Sequence, residues 1–253
     1  MRTQINNEIR PLLRAMVLGD FCGNSSGWTR VAYLNMSDSS QQCPGDLREV
    51  THSGIRLCDR DSRADNTQGI CTSVTFPTNG VVYNEVCGRI IGYHMGSTSA
   101  FYDYTFVLGA DNTIDEYYVD GVTLTHGGVG AREHIWTFVT GLEEDPDSSH
   151  SRFVCPCAPN AASSIMVPPF IGNNYFCESG SLNGFNGFHD EPIWDGEGCS
   201  VGNSCCAFNN PPYFTRQLPT STSDDIELRN CGYYTTVAHA TSTFIQFIEL
   251  HVK

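Results

Sequence analysis

The run from His189 to Cys206, HDEPIWDGEGCSVGNSCC, is the densest group of residues with the types and spacing to do chemistry. Asp190, Glu191, Asp195 and Glu197 put four carboxylates within eight residues, among Pro192, Gly196, Gly198 and Gly202, so the backbone is a shaped loop and not a long regular element. Such a loop suits calcium, a hard cation that accepts carboxylate, carbonyl and water oxygens in irregular geometry. The four acids are its candidate ligands, not all at once. Trp194, Tyr175, Phe188, Tyr213 and Phe214 are nearby rings that could stack on the face of a pyranose. Each feature also has a plainer reading, the acids as solvated surface and the rings as core beneath a long loop. Cys177, Cys199, Cys205, Cys206 and Cys231 flank the acids, and crosslinks among them would hold the loop in one geometry.

Those cysteines belong to a wider pattern. The 253 residues contain 12 cysteines, the others being Cys22, Cys43, Cys58, Cys71, Cys87, Cys155 and Cys157, and no two CxxC units are paired as in a zinc site. Disulfides, and with them a secreted or extracellular setting, are the expectation. Adjacent Cys205 and Cys206 are expected to take different partners. The proline of Cys155-Pro156-Cys157 predicts a rigid structural turn and not a CxxC redox site. Asn24 and Asn35 open N-glycosylation sequons, which fits secretion.

Charge and motifs exclude several functions. The formal net charge is −14, with 14 basic against 28 acidic residues; the thirteen arginines are scattered and Lys253 is the single lysine, which argues against nucleic acid. No apolar run approaches the roughly 20 residues needed to cross a bilayer. The first twenty residues lack the apolar stretch of a signal peptide, so a mature fragment is expected. No GxSxG, HExxH, GxxxxGK[ST] or post-strand GxGxxG occurs, and the eight histidines fall into no triad that spacing alone singles out; a non-enzymatic chain is expected. His134 and His251 sit in strand patterns and read as packed or surface residues.

The elements that would position these groups are mainly β. We expect a single disulfide-stabilised β-rich domain over 21–253, with antiparallel sheets and long ordered loops, after a short N-terminal helix within 1–20. Ile5, Ile9, Leu12 and Met16 have coiled-coil spacing, but Pro11 restricts the helix to about 11–18; it either ends the oligomerising stalk of a homo-oligomer, a trimer being one form of it, or packs on its own domain. In CGNSSGWTRVAYLN, Trp28, Ala32 and Leu34 are expected on one strand face and Val31 and Tyr33 on the other. The polar, turn-rich stretch from Cys43 to Cys71 reads as a surface loop system. Strands follow in CTSVTFP, VVYNEVCGRIIGYHM, FYDYTFVLG and REHIWTFVTGL. Asp120-Gly121 predicts a tight hairpin between EYYV and VTLT, because Gly tolerates positive φ. Asp111, Asn112, Asp115, Glu116 and Asp120 do not match an EF-hand and read as solvated turn acids. DDIELRNC and TFIQFIELHVK are the closing strands, the second alternating Phe244, Gln246, Ile248, Leu250 and Val252 against Ile245, Phe247, Glu249 and His251. It is expected inside the sheet.

Through CGNSSGWTRVAYLNM, CTSVTFP, VCGRIIGY, YYVDGVTLTHG, FIGNNYFCESG, WDGEGC, NSCC and IELRNC, the chain resembles a secreted invertebrate globular domain found with collagen-like or coiled-coil segments. More distantly, Gly27-Trp28-Thr29 and CESGSLNG, Cys177 to Gly184, are similar to fibrinogen-like domains, ficolins and intelectins. The resemblance implies oligomers that bind glycans or acetylated groups, often with calcium. The aspartate-rich calcium motif and the full Gly-Gly-Trp-Trp segment of those families are absent, so no sugar site is carried over. The resulting expectation is a secreted, lectin-like recognition module for glycans or extracellular glycoproteins; the alternative is a self-associating extracellular-matrix module.

Overall fold

The computed structural model describes residues 22, 27–60, 70–96, 101, 113–115, 119–142, 154–157, 161, 163, 166–180, 187–197, 205–207, 213–232 and 241–253. The expected N-terminal helix, the Asn24 sequon, the strand FYDYTFVLG beyond its first residue, and Cys199 lie outside them. Twelve strands and no helix are found among the described residues: β1 Thr29–Asn35, β2 Arg48–His52, β3 Ile55–Asp59, β4 Ile70–Phe76, β5 Tyr83–Met95, β6 Gly121–His126, β7 Glu133–Leu142, β8 Tyr175–Gly180, β9 Cys205–Ala207, β10 Phe214–Thr222, β11 Ile226–Gly232 and β12 Ser242–Val252.

They form two six-stranded sheets. In sheet A the order is β10-β5-β12-β3-β2, and β1 also pairs with β12. One edge of β12 lies along β5, while its other edge is shared, Ile245 pairing Cys58 of β3 and the C-terminal half pairing β1. Sheet B runs β4-β11-β6-β7-β8-β9, antiparallel except for the parallel pair β7-β8. The expected insertion of the last strand within a sheet is therefore found.

Apolar side chains of both sheets meet in one core. Leu34, Val86, Ile90, Ile248 and Leu250 from sheet A pack with Val122, Leu124, Trp136, Phe138 and Leu228 from sheet B. Ala32 and Leu34 point inward as the alternation requires, and Tyr33 outward. Trp28 does not join them: a bulge between Arg30 and Ala32 breaks the alternation, and the Trp28 ring lies 5.7 Å below the Lys253 ammonium. A second bulge, at Gln246 between Ile245 and Phe247, reverses which parity of β12 faces the core. Ile245 and then Ile248, Leu250 and Val252 point inward, whereas Phe244 packs with Leu57 and Tyr93 on the outer face.

Three expectations are corrected. Within the stretch from Cys43 to Cys71, residues 48–59 form not loops but the β2-β3 hairpin, turned at Ser53-Gly54, both with positive φ (49° and 82°) as this tight turn requires, while 61–69 lie outside the described residues. Asp120-Gly121 is not a hairpin turn. From Gly121 onward β6 is flanked by β11 on one edge and β7 on the other, which leaves no edge for the preceding residues to pair with. The hairpin that does form joins β6 to β7 through Gly127–Arg132. Of the residues expected to be solvated there, Asp111, Asn112 and Glu116 lie outside the described residues, and the other two are not merely solvated. Asp120 is buried, and Asp115 accepts hydrogen bonds from the Arg132 guanidinium (2.6 Å) and the Gly130 amide.

Five disulfides join described cysteines: Cys22–Cys87, Cys43–Cys58, Cys71–Cys231, Cys155–Cys177 and Cys157–Cys206. Cys177 and Cys206 face each other across β8 and β9, so the Cys155-Pro156-Cys157 turn is stapled to two neighbouring strands at once. The side chain of Cys205 is outside the described residues. These staples, with Phe101, Val119 and Ile171, cover the outer face of sheet B.

Gly92 of β5 gives a direct test of packing. A Cβ there would lie 2.4 Å from the Phe244 carbonyl oxygen and 3.1 Å from the Trp194 ring, whereas a Cβ at Gly187 would meet nothing within 4 Å. Gly92→Ala is expected to lower stability by about 1–3 kcal/mol through overpacking, and Gly187→Ala to leave it unchanged, read as urea-unfolding midpoints. Equal midpoints for the two variants would contradict the close approach of β12 and Trp194 to Gly92.

Candidate functional site

The acidic stretch is positioned by backbone pairing. Beyond the reach of β10, residues 187–193 take over the edge of β5: Gly96 N–H donates to Gly187 C=O (3.0 Å), His189 N–H to His94 C=O (3.1 Å), and Gly92 and Ile193 exchange both bonds (3.2 and 2.8 Å). Pairing ends at Trp194, which holds a left-handed φ of 64°, a costly conformation for a bulky residue. The surroundings enforce it. Trp194 N–H donates to a Glu178 carboxylate oxygen (2.8 Å), its indole N–H donates to the Val139 carbonyl (2.9 Å), and its ring packs 5.3 Å from Phe138.

Trp194 is 0% exposed. It is a peg that anchors the acidic loop in the core, and no face is open to a sugar. Two other expected stacking rings are corrected likewise. Phe214 is buried and stacks on Trp136 at 5.1 Å, and Tyr175 is buried under the cover of sheet B, edge-on to Phe101. Phe188 and Tyr213 are half-buried.

The four carboxylates do not converge. Asp190 accepts from the Ser53 hydroxyl (2.9 Å), Asp195 accepts from the Glu197 amide (2.8 Å), and Asp190, Glu191 and Glu197 are exposed. Among the described residues no three His, Cys, Asp or Glu side chains are grouped to hold a metal ion. The calcium expectation thus finds no ligand set there. Burial, reinforced by the charges of Glu197 and Glu191, raises the Asp195 carboxyl above its ordinary range. Asp195 and Asp190 in turn add to the burial that pushes the Tyr93 phenol up, which places this hydroxyl within their field.

What the loop does bring together is a group of rings on the outer face of sheet A. Phe188 stacks on His52 (4.7 Å) and on Tyr93 (5.7 Å), with Phe244 tilted beneath at 5.6 Å. Three residues along β12, about 10 Å away at the strand rise, a second group spans neighbouring strands. Tyr33 is edge-on to Phe247 (5.7 Å); the Arg89 guanidinium lies 4.3 Å from the Phe247 centroid and 5.3 Å from that of Tyr213; Arg30 lies 4.9 Å from Tyr33. Tyr33 is 45% exposed. Sequence reading had Phe188 and Tyr213 but missed His52, Tyr93, Tyr33, Phe247, Arg89 and Arg30. Alternation in β5 and β12 could have put Arg89, Tyr93 and Glu249 outward, but the order of the strands and the Gln246 bulge carry no local signal.

Beneath the loop, His94 is 0% exposed and stacks on His189 at 4.0 Å. Burial first, and then the His189 charge, hold His94 well below the ordinary imidazole range; burial, with the Arg216 charge, holds His134 at about 3. His134 accepts or donates one bond, to the Thr137 hydroxyl at 2.8 Å.

Two expectations follow for stability. Trp194→Ala should cost about 3–5 kcal/mol in urea unfolding, by loss of the peg; a normally stable Ala variant would overturn its structural role. Acid should also destabilise. Both imidazoles stay neutral in the fold while the unfolded chain takes up protons below about pH 6.5, so stability falls as pH drops through 6.5 and keeps falling until the folded groups titrate, at about 3 for His134. Between pH 7.5 and 5.5 each buried histidine should remove about 1.4 kcal/mol, and His94→Phe with His134→Phe should flatten the profile; a wild-type midpoint constant over that window would contradict the neutral state.

No family model matches the chain, and no curated protein matches it.

Proposed function

We propose that this is an extracellular, non-catalytic recognition module that binds glycans on the outer face of sheet A. The observation that carries the reading is a set of rings on one sheet face, half-buried Phe188 with His52 at one end and exposed Tyr33 with half-buried Phe247 and Tyr213 at the other. In β5 and β12, which are paired on both edges, backbone donors and acceptors are spent in the ladders, so what their face offers a ligand is ring surface and side-chain polar groups. Pyranose C–H faces are complementary to such rings, and the Asp190 carboxylate beside Phe188 can accept from hydroxyls.

The disulfides support an oxidising compartment, since five among the described cysteines would not persist in a reducing cytosol. A shallow face of this kind binds weakly as a single copy. Presentation in several copies, through the expected N-terminal seam, would raise avidity.

The test is a glycan array read with wild type, Phe188→Ala and Tyr33→Ala, each with and without a chelator. Loss of one stacked ring should weaken binding about tenfold, equivalent to about 1.4 kcal/mol, with unfolding midpoints kept near wild type for Tyr33→Ala. Chelation should leave binding unchanged. A blank array from folded protein would overturn the reading, and self-association of that protein would favour a matrix-assembly role instead.

A further inference from the structure

Arg30 and Arg89 are used differently from the other arginines. In a chain with twice as many acids as bases, guanidinium groups readily find carboxylates. Among the described residues Arg48 pairs with Asp59, Arg56 with Glu49, and Arg132 with Asp115 and Glu227, while Arg60, Arg216 and Arg229 donate to the Thr241 carbonyl, the Asn174 side-chain carbonyl and the Ile114 carbonyl. Arg30 and Arg89 make no ion pair among the described residues and rest on rings alone. Arg89 lies against Phe247 and Tyr213, and its Nε is buried without a hydrogen-bond partner. Its cross-strand neighbour Glu249 is turned to His251, 3.3 Å away. A guanidinium stacked by its faces keeps its edge for a planar or tetrahedral anion, and the rings that flank it exclude water from the bond.

We infer that the Arg89 end of this face selects an acidic saccharide, with the sugar ring against Tyr33 or Tyr213 and its carboxylate or sulfate on the Arg89 and Arg30 guanidinium edges; this rests on the glycan-binding reading above. Charge complementarity is local. The net charge of −14 repels anions at long range, but at physiological ionic strength that field is screened beyond about 8 Å, whereas the stacked guanidinium acts at contact. An acidic peptide would add its backbone to the open edge of β1 or β10, whereas the rings and guanidinium groups lie on the sheet face, which suits a flat sugar ring.

The experiment measures binding of the intact protein to immobilised heparin (sulfate), hyaluronan (carboxylate), dextran (neutral) and polyglutamate, for wild type, Arg89→Met, Arg89→Lys and Arg30→Gln. Arg89→Met keeps the packing over the rings and removes the charge. It should reduce heparin or hyaluronan binding at least tenfold and leave dextran unchanged, with Arg89→Lys intermediate. Whichever of heparin and hyaluronan is held more tightly identifies the anion. Should Arg89→Met fail to fold, exposed Arg30→Gln carries the same test with an expected loss of about threefold. Dextran bound as well as the acidic chains, and indifferent to Arg89, would overturn the anion selection and leave glycan binding standing. Polyglutamate bound as well as heparin would overturn saccharide selection, and no binding to any of the three polysaccharides would overturn both readings.

Discussion

The bulge at Gln246 decides what each face of sheet A carries. Without it, strict alternation would put Phe244 and Phe247 on opposite faces of β12. With one extra residue opposite the Gly92-Ile91 step of β5, both rings point outward, while Ile245 and Ile248 both point into the core. Because β12 is bordered by β5 along its length and by β1 and β3 on the other side, this single irregularity sets the register of three neighbours. The two ring groups share a face because of it.

The acidic loop depends on a second constraint, the burial of Trp194. Its backbone sits in a conformation that costs of order 1–3 kcal/mol, and this is offset by two hydrogen bonds and full burial against Phe138 and Gly92. The anchor also reaches across the sandwich. Glu178 and Val139, which receive its N–H groups, belong to β8 and β7 of sheet B, whereas the bridge through Ile193 belongs to β5 of sheet A. A loop fixed at both sheets holds Phe188 in place over Tyr93.

Much of the fold was legible where side-chain periodicity is local. The inward Ala32 and Leu34, the strands β4, β5, β7, β11 and β12, and the disulfide-rich class all follow from alternation and cysteine use. Errors arose where tertiary pairing overrode a local signal. Asp120-Gly121 has turn chemistry, yet both edges of β6 are taken by β11 and β7. REVTH and IRLCD lie among so many turn residues that their period-two pattern was hidden, although Ser53-Gly54 marks the hairpin. In the candidate site, Trp194 sits beside carboxylates in sequence and looks like a ligand residue; only the fold shows that the chain turns it inward. The arginine and aromatic stripe draws on Arg30, Tyr33, Arg89, Tyr213 and Phe247, which come from three strands and the lead-in to a fourth and share no motif.

Two uses of arginine contrast in this fold, pairing with carboxylates and stacking on rings. On sheet B, Arg132 is clamped between Asp115 and Glu227; hydrogen bonding to Glu227, its largest influence, raises its pKa further, so its donors are spent on the protein. The same face is roofed by Phe101, Ile171 and the Cys155-Pro156-Cys157 staples. Donors spent in this way hold the face together and are not open to a ligand. On sheet A, Arg48 and Arg56 of the β2-β3 hairpin are likewise paired, with Asp59 and Glu49, but Arg30 and Arg89 are stacked on rings, and Tyr33 stands open to solvent beside them. Stacking holds the guanidinium in place as a salt bridge would but leaves its hydrogen-bonding edge free. The glycan reading proposed above therefore places its ligand on the stripe across β1, β5 and β12, where the guanidinium groups are stacked, and not at the β2-β3 hairpin, where they are paired.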